Sequence, residues 1–410
     1  MIKKPELLAP AGSLSKLKIA IKYGADAVYV GGEEFSLRVA AENFTPEELA
    51  EGVEFAHAHG KKVYLTANII PHNADILEYE DFLKRYSRAG FDAVILSDLG
   101  MFQLTREIAP ELEIHVSTQA NNVNFKSAET WYKMGAKRVI LAREMSFAEI
   151  AEIREKTPDG LELEAFVHGA MCISYSGRCL LSNYMTNRDS NLGACSHPCR
   201  WKYYLMEETR PGEYMPVVEN ERGTFIYNSK DLCMIEHIDK LIESGLDSFK
   251  IEGRVKTEYY LATVVKAYRD AIDSYFDNPQ GFKASPEWLE ELKKVSHRDY
   301  TTGFFFGKPG GDEQNYKTSS YIRNYELLGI VESYDPETKL LSVVQKNRFF
   351  KGSEVEFLRP KGDFVKHTIE YMEDEDGNEL EVANRPQSIA RIRIDIPLEE
   401  DAMMRGVREN

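Results

Sequence analysis

The sequence has no apolar run approaching the roughly 18 residues that a membrane-spanning helix needs. Its 43% hydrophobic and 29% charged residues are ordinary for a soluble globular chain, so no membrane span is expected. Met1 to Glu6 carries lysines but no apolar segment or small-residue cleavage site behind them, so no secretory leader is expected and the protein is expected in the cytoplasm. Positive charge is also short. The formal net charge of -16 argues against indiscriminate nucleic-acid binding, which is driven by cations displacing counterions from phosphates, so any RNA contact must be local. Low-complexity tracts and solenoid repeats are absent, as are His-Glu-x-x-His and Gly-x-Ser-x-Gly, two patterns that carry an activated water or serine. Cysteine is scarce at five residues, yet four lie between Cys172 and Cys199. An odd, clustered set in a chain expected in the cytoplasm, where disulfides are rare, points to a metal site.

Four segments repeat one pattern, a glycine that can end a helix followed by an apolar run: Gly24 to Val30, Gly90 to Leu96, Gly135 to Leu141 and Gly245 to Ile251. Around them Glu6 to Ala9, Lys62 to Ala67, Glu113 to Ser117 and Leu161 to Val167 alternate or run apolar as strands do, which predicts eight strands. The stretches between carry helical spacing, such as Leu14, Leu17 and Ile21, or Leu261, Val264, Val265, Tyr268 and Ile272 in the segment opened by Thr257. Regular alternation implies parallel strands joined by crossovers. Eight units suit a closed, TIM-like (β/α)8 barrel, with an open doubly wound sheet as the alternative. Beyond about Tyr321, short apolar runs broken by turn signals such as Asp335-Pro336-Glu337 and Asp376-Gly377-Asn378 predict a small all-β domain. A single core rarely grows beyond about 250 to 300 residues. The division expected is therefore a barrel over 1–315 and a small β-barrel over 320–400.

The barrel's active site is expected in the loops that follow each strand. The loop after the seventh strand holds the cysteines in the pattern Cys-x6-Cys-x15-Cys-x3-Cys, at Cys172, Cys179, Cys195 and Cys199. Four thiolates suit tetrahedral zinc or a four-iron, four-sulfur cluster. Zinc knuckles usually pair cysteines two to four residues apart, which only the last pair obeys, so the spacing leans toward a cluster. Buried apolar cysteines are the bland alternative. Cys233, among apolar neighbours, reads as a core residue on a helix.

The run Glu164 to Cys172, followed by Ser176-Gly177-Arg178-Cys179-Leu180-Leu181-Ser182, resembles the signature of peptidase family U32. Leu8 to Gly12, Asn228 to Leu232, Lys250 to Arg254 and Tyr300 to Phe304 join it, so the resemblance covers nearly the whole chain. Within the family the arrangement is similar to the branch of prephenate-dependent tRNA uridine hydroxylases, which make 5-hydroxyuridine at the wobble position. The resemblance implies a barrel, an iron-sulfur cluster (4Fe-4S) on the four named cysteines, prephenate as co-substrate and tRNA as partner. The family's name points instead to a collagenase-like peptidase, and a non-catalytic RNA-binding protein with structural zinc is a third reading. A homo-oligomer or a paralogue partner is left open.

Hydroxylating an unactivated uracil carbon calls for a redox cofactor, with the protein supplying orientation and electrostatics. Prephenate carries two carboxylates, so its pocket is expected to present cations: Arg254 first, then Lys230 and Arg143, all at or near predicted strand ends. Glu252 is the candidate to orient Arg254 or act as a base. His168, just before the cysteine loop, reads as a proton donor or as a hydrogen-bonded core imidazole. Gln119 and Asn68 have donors and acceptors suited to a uracil edge. The turn Ala9 to Ser13 reads as an anion-binding helix N-terminus or as a plain cap. For RNA, Lys346-Asn347-Arg348-Phe349-Phe350-Lys351 mixes cations and aromatics, and Arg188, Arg200 and Lys202 flank the cysteine loop, a solvated hairpin tip being the alternative for the former.

Overall fold

In the computed structural model the described residues are 3–37, 42–172, 174–176, 178–201, 204–205, 215–216, 230–308 and 321–408, with the side chains of 200, 204–205 and 215–216 outside the description. Eight parallel strands close on themselves: β1 (Glu6–Pro10), β2 (Ala27–Gly31), β3 (Lys62–Ala67), β4 (Ala93–Leu96), β5 (Glu113–Val116), β6 (Arg138–Ile140), β7 (Glu162–Ala170) and β8 (Ser248–Ile251). The ring is completed on both sides of β8, where Ser248 pairs with Glu6 of β1 and with Glu164 of β7. The predicted barrel is therefore the fold, and the open sheet is excluded.

Local chemistry explains where the helices begin. Ser13 caps the Leu14–Lys22 helix by accepting from Lys16 N, which gives the Ala9 to Ser13 turn its plain structural role. Thr45 and Ser146 head capping boxes with Glu48 and Glu149, and Thr257 caps the long Glu258–Asp277 helix. That last helix turns twelve residues inward, among them Tyr260, Leu261, Val264 and Tyr268, and forms part of the layer packed on the barrel.

Two additions were not foreseen. β7 outruns its neighbour β6, and the bare edge at His168, Gly169 and Ala170 is covered by an antiparallel strand, Asp231–Cys233. Cys233 thus stands on a strand rather than the expected helix; it is buried, and burial pushes its thiol up to about 12. Tyr300–Thr301 then pairs in parallel with that strand.

The second unit is an antiparallel sheet of seven strands. In spatial order they are Val365–Thr368, Glu354–Leu358, Met403–Val407, Tyr325–Asp335, Leu340–Gln345, Ile389–Arg393 and Met372–Glu373. Among the described residues no pairing joins the first to the last, so the small β-barrel expected here takes the form of a half-barrel. The expected limit at residue 400 also falls short, because Met403–Val407 pairs with Tyr325–Ile330 on one side and Glu356–Leu358 on the other. Its Arg405 is fully buried and joins Glu356 of the sheet (2.9 Å) to Glu291 of the barrel unit (2.6 Å), beside the Lys294–Glu356 pair at 2.7 Å. A buried cation with two carboxylates fixes how the units meet, since pulling them apart would strand it.

Candidate active site

Residues of alternate parity on the strands face the barrel interior, and here many are polar. At the N-terminal end, Arg138 of β6 reaches Glu6 (2.6 Å), Glu162 (2.7 Å) and Glu164 (2.8 Å). Lys250 of β8 bonds Glu164 at 2.7 Å. Above it the Phe166 ring lies between two cations, Lys250 Nζ at 5.5 Å and the Arg143 guanidinium at 3.9 Å from its centroid. Charge and π-face therefore alternate up the barrel until the C-terminal mouth, where Arg143 opens the candidate site.

At the mouth, Arg143 donates to Ala170 O (2.5 Å) and to the Glu252 carboxylate (3.2 Å). Glu252, the candidate to orient Arg254 or act as a base, accepts this bond from Arg143. Close by, Gly169 has φ +110°, and a Cβ there would stand 2.8 Å from Glu252 O, so only glycine lets β7 pass under the β8 end. Arg254 is 4% exposed and reaches across the barrel to bond Ser36 Oγ and Thr66 Oγ1 (3.2 Å), while Thr66 in turn donates to Val30 O. Gly31 makes room for it: a Cβ would lie 2.0 Å from Arg254 Nη1.

The opposite rim carries amides. Asn68 Nδ2 donates to Ser117 Oγ at 3.4 Å, joining the ends of β3 and β5 across β4, which places both on the mouth. Ser117 Oγ also accepts from Gln119 N. Among the described residues, Asn68 Oδ1, Gln119 Oε1, both side-chain atoms of Asn122 and Arg143 Nε are buried without a hydrogen-bond partner. Such groups cost about 1–3 kcal/mol each unless something bonds them. A polar ligand with both donors and acceptors suits that rim. Asn122, 1% exposed, was missed by the sequence reading, although the polar run Ser117 to Asn122 directly after a strand was the available signal.

The cysteine loop is docked on this rim. Asn121 donates to Ser176 O (2.9 Å) and accepts from Arg178 Nε (2.6 Å), and Ile70 N donates to Asn191 O (3.2 Å). Inside the loop, Ser182, Thr186 and Ser196 share hydroxyl bonds of 2.9–3.0 Å. None of the four loop cysteines is in a disulfide; Cys172 is exposed and the other three are half-buried. Cys179 and Cys195 each accept a backbone N–H two residues on, from Leu181 and His197 at 3.4 Å, a polarity that favours a thiolate ligand. The donor chemistry thus fits an iron-sulfur cluster or zinc. The arrangement does not yet close around one: among the described residues no three His, Cys, Asp or Glu side chains are grouped to hold a metal ion.

Other candidates fall elsewhere. A register shift at Ile251 on the β7–β8 ladder coincides with His168 lying in an aromatic box of Tyr260, Tyr268 and Tyr300. It is 1% exposed, and burial, with Lys256 and His297 adding to it, drives its pKa down to about 3, which favours the core imidazole over the proton donor of the two readings. Lys230 is half-buried, one residue before the Asp231–Ala170 pair and so beside the start of the cysteine loop. In the expected RNA hairpin, Phe349 is core and Lys351 is paired with Glu379, which removes a stacking face and offsets a cation. Arg188 is exposed; the Arg200 side chain and Lys202 lie outside the described residues.

With the geometry in place, comparison with known proteins is informative. A sequence profile for peptidase family U32 matches residues 12–315, and one for the family's C-terminal domain matches residues 323–405. The chain is 48% identical over 403 residues to the "tRNA hydroxylation protein P1" of Bacillus subtilis, covering 98% of this chain and 95% of that one. It is 41% identical to the "tRNA hydroxylation protein P" of Escherichia coli, covering 93% and 91%. It is also 33% identical to a "Collagenase" of Porphyromonas gingivalis, covering 80% and 82%.

Proposed function

The chain belongs to peptidase family U32, and on that premise we propose that it is a tRNA-modifying enzyme that hydroxylates uridine, forming 5-hydroxyuridine at the wobble position with prephenate as co-substrate. The observation that carries this reading is the mouth itself, where buried arginines and orphaned amides lie under a docked loop of four cysteines that are not in disulfides. Full-length likeness to two proteins named for tRNA hydroxylation supports it. Cys172, Cys179, Cys195 and Cys199 would hold a four-iron, four-sulfur cluster, which when bound would supply the redox chemistry that side chains lack.

The protein's own part is binding and orientation. Arg254 and Arg143 would each take a carboxylate of the dicarboxylate, with Glu252 setting the plane of the Arg143 guanidinium. Asn68, Gln119 and Asn122 would bond the uracil edge, whose imide offers acceptor, donor and acceptor in turn. Deleting the gene in a strain without a paralogue is expected to remove 5-hydroxyuridine from total tRNA, read by nucleoside mass spectrometry. Unchanged wobble nucleosides would overturn the proposal.

The Arg254 assignment has its own check. In Gly31→Ala the new methyl would stand 2.0 Å from Arg254 Nη1 and 2.6 Å from Ser36 Oγ, both side-chain ends and not backbone, so the fold is expected to survive while the guanidinium leaves Ser36 and Thr66. Prephenate affinity by calorimetry is expected to fall about tenfold or more, the scale of losing charge-assisted bonds. Unaltered affinity would remove Arg254 from the pocket.

A peptidase reading has one observation in its favour, Cys195 Sγ lying 4.0 Å from His197 Nδ1, together with the likeness to a collagenase. The separation exceeds the usual reach of a nucleophile–base pair, and His197 N already donates to the same sulfur. Gelatin cleavage by anaerobically purified protein, lost in Cys195→Ser, would revive it.

A further inference from the structure

The chain needs a local surface for RNA, and the hairpin expected to provide one keeps only part of it: Phe349 is core and Lys351 is ion-paired, which leaves Phe350, 37% exposed, with Arg348 over its ring. A better surface lies on the cysteine loop. Of the sixteen large hydrophobic side chains exposed among the described residues, six fall within 175–201: Tyr175 (45% exposed), Leu180 (64%), Tyr184 (86%), Met185, Leu192 and Trp201 (47%). Helix geometry accounts for part of this. In the short Leu181–Thr186 helix, Ser182 and Thr186 stand four residues apart and turn inward to bond Ser196. Leu180 and Tyr184, also four apart, occupy another face and point to solvent.

Charge on the same segment is opposite to that of the protein. Residues 172–201 contain Arg178, Arg188 and Arg200 against a single carboxylate, Asp189, in a chain of formal net charge -16. Asp189 is engaged in capping the turn at Asn191 N. Arg178 is tied to Asn121, so this cationic, aromatic surface is held at the barrel mouth and not free to swing away.

Exposed aromatics interleaved with arginines are what single-stranded nucleic acid requires, because every base has a face to stack and every linkage a phosphate to neutralise. We propose that the outer face of the cysteine loop, centred on Tyr184, Trp201 and Tyr175 with Arg188, is a stacking platform for the unpaired nucleotides of an RNA loop. The nucleotides flanking the target stack on it while the target base turns into the mouth. Splaying a base from its neighbours costs a few kcal/mol, and a platform beside the pocket offsets that cost where the neighbours would otherwise lose stacking. The inference rests on the tRNA reading and adds to it the surface that receives the RNA.

The test is fluorescence anisotropy with the full-length protein and two labelled RNAs, an anticodon stem-loop and a fully paired duplex of similar length. Tyr184→Ala and Trp201→Ala are each expected to weaken stem-loop binding about tenfold. Both are expected to leave duplex binding unchanged, and Tyr184→Phe is expected to restore the wild-type value. Arg188→Gln is expected to lower the salt dependence of stem-loop binding by about one unit of slope. Leu77→Ala, at a site 81% exposed on the Asn73–Ser87 helix, serves as the control and is expected to change nothing. If the wild type binds the stem-loop and the alanine variants bind equally well, the platform is overturned and the patch is left for a protein partner. If the wild type binds no stem-loop at all, the tRNA reading falls with it. Melting temperatures close to wild type show that the variants remain folded, as expected for side chains this exposed.

Discussion

Replacing any one of Cys172, Cys179, Cys195 or Cys199 by alanine is expected to strip the anaerobically purified protein of its iron and to lower tRNA hydroxylation by at least about 100-fold. Cys233→Ala is expected to leave both intact. The contrast follows from where the five thiols sit. Four lie exposed or half-buried in one loop docked on the barrel rim, two of them already accepting backbone N–H groups. The fifth is buried on a strand paired with His168, and its thiol is held protonated well above neutral pH. A protonated, enclosed thiol is a poor ligand. Because the loop cysteines carry little of the core, their removal is expected to shift the melting temperature of the metal-free protein by only a few degrees. Iron and labile sulfide unchanged across all four variants would refute the cluster, and zinc without iron would redirect the loop to a structural role.

Most of the barrel was legible because its signals are local and repeat. Glycine ending a helix, a turn and an apolar run mark β2, β4, β6 and β8, and capping residues such as Thr257 mark the helices. What the sequence hid depends on contacts between distant segments. The covering strand Asp231–Cys233 exists because β7 is longer than β6, a mismatch that no window of residues displays. Cys233 was taken for a helical residue on the strength of apolar neighbours, which strands share. The half-barrel's last strand escaped the expected limit because Met403 to Gly406 are all buried, so the run shows none of the alternation that marks a half-exposed strand.

The site shows the same division. Strand-end position pointed to Arg143, Glu252, Arg254, Asn68 and Gln119, which lie around the C-terminal mouth. Pairing was beyond reach, since Glu252 meets Arg143 from another strand end and Arg254 meets hydroxyls from β3 and the loop after β2. His168 lies near a register shift on the β7–β8 ladder, and nothing in Val167-His168-Gly169 announces that irregularity. Asn122 lay in plain view but offered no pattern beyond polarity.

The polar barrel floor leads to the largest effect on stability. Arg138→Met is expected to destabilise the protein by about 3–5 kcal/mol at pH 7, because it leaves the buried Glu164 and the half-buried Glu6 and Glu162 together with one cation fewer. Burial alone would raise those carboxyls. The opposing attraction, from Arg138 for Glu6 and Glu162 and from Lys250 and then Arg138 for Glu164, wins and holds all three below the ordinary carboxylate range. Groups whose folded pKa is depressed contribute stability above their unfolded value and lose it as pH falls through the folded one. Without Arg138 the folded values rise, so the carboxyls take up protons more readily on acidification and the penalty shrinks. A second dependence runs through His115, fully buried beside this network, where burial first and Arg138 second push its pKa down to about 3. Below about 6.5 the unfolded chain protonates this histidine and the folded protein does not, so stability falls by about 1.4 kcal/mol per pH unit as the solution is acidified. His168 adds the same slope. In Arg138→Met the His115 share weakens, because one of the two causes of its depression is gone. Urea unfolding followed by circular dichroism at pH 7, 6 and 5 is therefore expected to give curves for wild type and variant that converge on acidification. A penalty that stays constant with pH, or that is below about 1 kcal/mol at pH 7, would mean that Arg138 does not hold the floor of the barrel together.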